Sequence, residues 1–195
     1  MKKLFLLAFL ALAFTSCDKD ESEAVEPVAI VHKEIKATFK YTLPIRVDIN
    51  NDGQDDFSFG NVLVSDSYGA HNLFYIRPLA HNQVLLNMND EIAIGNWSAA
   101  LKANDVVQED QINNLKWVRG TGFLLDLRKP DATHTFYEGP LSDKAPLYIG
   151  VRLEKNGGYH TGWVKLNYAM GSEEVEVTDA AFNPLSMQIL KAGQR

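Results

Sequence analysis

Cysteine occurs once in this chain, at Cys17, and that scarcity excludes intrachain disulfides and cysteine-built zinc sites. Basic charge is also short. Nineteen Lys and Arg stand against 25 Asp and Glu, for a net charge of −6, and no Lys/Arg cluster interrupts the acidic balance. Nucleic acid is therefore not an expected partner, because the phosphate backbone selects basic surfaces. The sequence contains no Gly-x-Ser-x-Gly, no His-Glu-x-x-His and no phosphate-cradling glycine loop. Its five histidines, His32, His71, His81, His134 and His160, are scattered singly and read as surface or strand residues.

Long apolar runs are missing too. The longest, residues 4–14, covers only about 16 Å as a helix, whereas a bilayer core is about 30 Å thick. Lys2 and Lys3 precede it and Thr15, Ser16 and Cys17 follow, which is the order of a signal peptide. Phe14-Thr15-Ser16-Cys17 resembles the lipobox of bacterial lipoproteins. That resemblance implies a signal peptide over 1–16, cleavage before Cys17 and lipid on its thiol, so that the membrane is a partner through the anchor. Lys19-Asp20-Glu21 is similar to the Lys-acidic-acidic tag of lipoproteins displayed on the outer face of the outer membrane. The expected address is thus the outer membrane, facing the cell exterior. Asp18 is the competing signal, for inner-membrane retention in enteric bacteria, and a plain solvated acidic tether is the third alternative.

Without Lys2 and Lys3 the net charge falls from −6 to −8. Residues 17–28 are acidic and poor in large apolar side chains, so burial cannot offset the entropy of ordering them. They are expected to form a flexible tether. Residues 29–195 are expected to form a single β domain, long enough for a core of its own.

What the chain has in quantity is alternation. Ile35, Ala37, Phe39 and Tyr41 form one apolar face of period two, and similar patterns run through 57–64, 73–79, 84–86, 123–127, 147–153, 163–168 and 175–178. Asn156-Gly157 supplies the positive φ angles of a tight hairpin between 147–154 and 159–168. Only 98–102 and 109–115 read as short helix. These features predict an all-β fold, an antiparallel β-sandwich, with a jelly roll or barrel as the alternative and one or two short helices.

Gly162-Trp163-Val164-Lys165-Leu166, then Val175 through Phe182, then Ile189-Leu190-Lys191-Ala192-Gly193 form an ordered series. It resembles the C-terminal pattern of secreted bacterial β-sandwich proteins with a Gly-Trp strand and a closing Ala-Gly. The resemblance covers about the last fifty residues and implies fold and compartment, not chemistry. Trp163 reads as a core residue, because a buried Trp contributes a large apolar area.

One stretch has metal-ligand spacing. Asp48, Asn50, Asp52 and Asp56 stand at offsets 1, 3, 5 and 9, with the Gln54 carbonyl at 7 and Gly53 at the bend. The stretch resembles the calcium loops of dockerins and of extracellular calcium-binding repeats, although Phe59 replaces the offset-12 Glu of an EF-hand. Structural Ca2+ is the expected cofactor. The alternative is a metal-free turn held by Asx hydrogen bonds.

For function, the sequence favours a non-catalytic surface module in a binding or structural role, with a glycan or protein ligand. Tyr68, Phe74, Tyr75 and above all Trp97, Trp117 and Tyr137 are its candidates for ligand stacking. The alternative is a small extracellular hydrolase, such as a sandwich-fold glycosidase using two carboxylates; Asp126, Glu138 and Glu154 are available but no spacing selects a pair. Because the thiol is the acyl acceptor, Cys17→Ser is expected to abolish incorporation of a fatty-acid label. Equal labelling of variant and wild type would refute the anchor.

Overall fold

The computed structural model describes residues 29–92, 94–107, 114–142, 146–186 and 188–195. The signal segment, Cys17, the tether and most of 109–115 lie outside the described residues. The strands are β1 (Val31–Lys40), β2 (Ile45–Val47), β3 (Phe57–Asp66), β4 (Gly69–Pro78), β5 (Gln83–Ile92), β6 (Gly95–Ser98), β7 (Ala100–Leu101) and β8 (Val106–Val107). They continue as β9 (Leu115–Val118), β10 (Gly122–Lys129), β11 (Phe136–Glu138), β12 (Leu147–Lys155), β13 (Gly158–Tyr168), β14 (Glu174–Phe182) and β15 (Leu190–Lys191). The fold is all-β, and among the described residues there is no helix.

Thirteen strands form one sheet in the order β1-β14-β13-β12-β5-β6-β10-β4-β3-β2, with β11 on β10, β7 on β12 and β9 on β5. Among the described residues every pairing is antiparallel except β6 with β10. The path begins at β1 and ends at β2, which are neighbours in the chain, so the sheet rolls until it is nearly a closed barrel. A single bridge, Lys40 to Leu43, spans the turn between them.

The alternating positions explain the roll. Phe39, Phe57, Phe59, Phe74, Ile76, Val164 and Val175 are fully buried inside it, as period-two side chains on one face must be once that face curls on itself. Phe39 from β1 meets Phe59 and Phe74 with ring centroids 5.6 and 5.9 Å apart, filling the space between β1 and the β3-β4 hairpin. Tyr41 does not extend this face; it enters the turn after β1 and is exposed.

A smaller core lies on the other side of β12 and β13. Trp163 packs edge-on against Tyr148 at 5.3 Å, together with Leu85, Trp117 and Ala181. The β8-β15 pair covers it, with Leu190 opposite Val107 and Ala192 buried. The strand is Leu190–Lys191, and Ala192-Gly193 follows it as a turn, with Gly193 at a φ of 82°.

The hairpin at Asn156-Gly157 is as the sequence predicts: both have positive φ, 54° and 77°, and Lys155 faces Gly158. Residues 98–102 are a correction. They are extended, with β7 pairing β12 through Leu101 opposite Tyr148, and the Ala99 N–H bonds to the Leu85 carbonyl at 2.9 Å. Alanine's helix propensity is a weak preference, and burial of Ala99 and Leu101 in the smaller core outweighs it. Leu115, at the end of the other expected helix, lies in β9.

Candidate functional site

The side chains that point away from the barrel core along β3, β4, β10 and β11 form two cross-strand rows. Register places Val64, His71, Arg128 and Phe136 in one row and Val62, Leu73, Asp126 and Glu138 in the next. The β5-β6 hairpin brings Ile92 and Ile94 beside them, and a cavity of about 320 Å³ lies between. Its walls are apolar, with Val64, Leu73, Ile92 and Ile94. Its polar groups are Asp66, Tyr68, His71, Asp126, Arg128 and Glu138.

Asp126 and Glu138 are direct partners across an antiparallel pair, an arrangement in which like charges repel. Each is answered by a base on the neighbouring row. His71 Nδ1 lies 2.7 Å from Asp126 Oδ2, and its Nε2 lies 3.1 Å from Asp66 Oδ1, so protonated His71 donates to two carboxylates at once. Arg128 Nη2 donates to Glu138 Oε1 at 2.8 Å, and its guanidinium stacks 5.1 Å from the Phe136 ring.

The network is not complete. Asp126 Oδ1 and Arg128 Nε are buried without a hydrogen-bond partner, a costly state in a native protein and one found at functional positions. Burial pushes the Asp126 carboxyl above its ordinary value, against the pull of His71. For His71, burial works against the charged form, but hydrogen bonds to Asp126 and Asp66 outweigh it and raise the pKa. Asp66 is held low, first by the Tyr68 backbone N–H and further by His71. Three titratable groups displaced in one concave site make it the strongest candidate for function.

No family model, curated protein or solved structure matches the chain.

The acidic loop lies elsewhere, between β2 and β3. Its side chains turn back on its own backbone: Asp48 accepts from the N–H groups of Asn51 (2.7 Å) and Gly53 (2.9 Å), Asn50 from Asp52 (2.9 Å) and Asp52 from Gln54 (2.8 Å). Asp56 differs from the rest. It is buried, its Oδ2 accepts from Ile49 N–H at 2.7 Å, and its Oδ1 accepts from Asn82 Nδ2 at 3.1 Å. Burial raises its pKa against these bonds. Asn82 also accepts from the Glu154 N–H, tying the loop to β12. Among the described residues no three or more His, Cys, Asp or Glu side chains group with metal-holding geometry.

Of the six stacking candidates, Tyr68 lines the cavity, Tyr75 lines a neighbouring one and Phe74 is in the main core, while Trp97, Trp117 and Tyr137 are not brought together and do not line the cavity. Trp117 is buried in the smaller core with the Arg152 guanidinium 4.3 Å from its ring centroid, so that face is covered. Trp97 packs on the backbone of Gly139, leaving no room for a side chain there. Tyr137 is partly buried against the main core and tilts on Tyr168 at 6.5 Å. Of the three carboxylates, Glu154 instead caps the Asn156-Gly157 turn, accepting the Gly157 N–H at 2.9 Å.

His71 and Asp66 were not visible as site residues in the sequence. His71 lies 55 residues from Asp126, and only strand register makes them neighbours.

Protonated His71 carries a pH dependence. Its folded pKa is raised, so the stability it contributes is full below its unfolded value of about 6.5 and is lost as pH rises through the higher folded value. The urea midpoint is expected to fall between about pH 6 and pH 8.5. In His71→Gln that fall should shrink, and an unchanged pH slope would show that the imidazole is not the titrating group.

Proposed function

We propose that this chain is a lipid-anchored module of the cell surface that binds a small amphipathic ligand in the cavity beneath the β5-β6 hairpin. One observation carries the proposal: apolar walls surround a fixed set of two bases and three carboxylates, with two buried polar atoms left unpartnered. Binding pockets have this composition, in which hydrophobic lining provides affinity and a few oriented polar groups provide specificity. The volume of about 320 Å³ suits a small molecule, or one end of a longer one. The anchor and outer-membrane address come from the lipobox and the acidic tag, and they would present the cavity to ligands outside the cell.

Val64 stands half-buried at the cavity wall, so Val64→Trp should fill the space without disturbing the core. Ligand-observed NMR with a library of small amphipathic compounds is expected to yield binders to the wild type that Val64→Trp loses. Binders that persist in the variant, or none at all, would reject the cavity as the site.

A second reading, a small hydrolase, is favoured by the direct pairing of Asp126 with Glu138. In it Asp126, whose burial favours the protonated form, is the acid, and Glu138 is the base or nucleophile. Hydrolysis of chromogenic glycosides, lost in both Asp126→Asn and Glu138→Gln, would favour it over simple binding.

We further propose that the 48–56 loop takes up calcium weakly. Asp48, Asn50, Asp52 and the Gln54 carbonyl are the ligands, while Asp56, which the sequence also offers as a ligand, is buried among Ile49, Asn50 and Asn82 and anchors the loop to the core. The support is the spacing together with the spare lone pairs that singly bonded carboxylate oxygens keep. A dissociation constant of about 10⁻⁴ M and about 2 mM calcium would stabilise the fold by about 1.8 kcal/mol, which is several degrees in Tm. Asp52→Ala should remove that shift. Identical wild-type melting in EDTA and in calcium would reduce the loop to a polar turn.

A further inference from the structure

We propose that the ligand is an amphipathic organic cation, its ammonium group seated between Asp66 and Glu138 and its hydrocarbon tail running beneath Ile94 toward Tyr75 and Phe123. The proposal rests on the cavity-binding reading and specifies its chemistry.

The charge of the site argues for the head group. Three carboxylates, Asp66, Asp126 and Glu138, stand against Arg128 and His71, so one negative charge is unanswered when His71 is protonated and two when it is neutral. Both bases are already engaged, Arg128 with Glu138 and His71 with the two aspartates. Each cation of the cavity is already paired with a carboxylate, so an anionic ligand approaching either base would also meet the unanswered negative charge of the site. Asp66 and Glu138 are the accessible pair, with side chains 49% and 55% exposed, while Asp126 lies below them at 8%. Each exposed carboxylate oxygen can accept a further hydrogen bond from an ammonium.

The tail follows from continuity of the surface. A second cavity, of about 400 Å³, lies further along the same strands, lined by Val62, Tyr75 and Phe123, and Ile94 belongs to both linings. Register agrees: Phe123 is opposite Tyr75, and Leu73, between His71 and Tyr75 on β4, is opposite Val62. The two cavities share Ile94 as a wall, with the Leu73–Val62 pair between them, and the tail is placed along that shared wall from the first into the second. The far end sets the orientation. Arg77 sits 5.2 Å from the centroid of the Tyr75 ring there, so an ammonium is repelled at that end and drawn to the acidic one.

Titration calorimetry of the protein near pH 7.5 with octylamine, octanoate and octanol separates the contributions. Octylamine is expected to bind, with octanoate at least about tenfold weaker, the scale of one charge-assisted hydrogen bond. Glu138→Gln and Asp66→Asn, both at exposed positions, should each weaken octylamine about fivefold or more and leave octanol unchanged. Octanoate or octanol binding as tightly as octylamine would overturn the cationic ligand while leaving the cavity-binding reading intact. Octylamine affinity unmoved by both substitutions would overturn it as well. Silence from all three probes would overturn both.

Discussion

Phe39 occupies the place where the rolled sheet has no ladder to close it. The hydrogen-bonded path runs from β1 round to β2, and the two ends meet through one bridge and a turn. Between β1 and the β3-β4 hairpin the contact is made by side chains, with Phe39 against Phe59 and Phe74. Burying one such ring removes enough apolar surface from water to contribute about 2 to 3 kcal/mol, which a short exposed edge pairing does not match. The same contact sets parity. With Phe59 and Phe74 turned inward, residues one step away on those strands turn outward, and a slip by one residue would reverse both faces.

The outward face of that ribbon carries the cavity. Its rows place two carboxylates opposite each other, a pairing that a sheet selected only for stability would avoid. His71 and Arg128 compensate across the adjacent row, yet one Asp126 oxygen and the Arg128 Nε stay unpartnered. The apolar walls sharpen this imbalance, since each uncompensated charge counts for more where water is scarce. The 48–56 loop represents the opposite strategy. There Asp56 is enclosed by Ile49, Asn50 and Asn82, and its charge is spent on holding β2, β3 and β12 together.

The smaller core shows how a second layer adds cover. Trp163 and Tyr148 emerge on the outer side of β12 and β13, and the β8-β15 pair lies over them. Ala99 and Leu101 are drawn into this cluster, and that burial turns a helix-prone stretch into a strand. Trp117 is taken up in the same way, its ring covered by Arg152. An aromatic that the sequence offers as a ligand platform is here a structural contact.

Alternation of period two is a local property, so the strands, the all-β class and the inward side of Phe39, Phe57 and Phe59 were legible in the residues themselves. The Asn156-Gly157 turn was legible for a similar reason, because its φ angles are set by the two residues that occupy it. Trp163 belonged to the core on size and pattern alone, and the spacing at 48–56 announced a tight polar loop, though not that Asp56 would face inward. What sits beside what was decided by the tertiary structure. His71, Asp126 and Glu138 come from three strands, and which of the many carboxylates meets a histidine depends on sheet order and register, properties of the whole chain. Partners far apart in sequence leave no periodic trace, because each strand's pattern records only which face is buried and not which neighbour lies across the ladder.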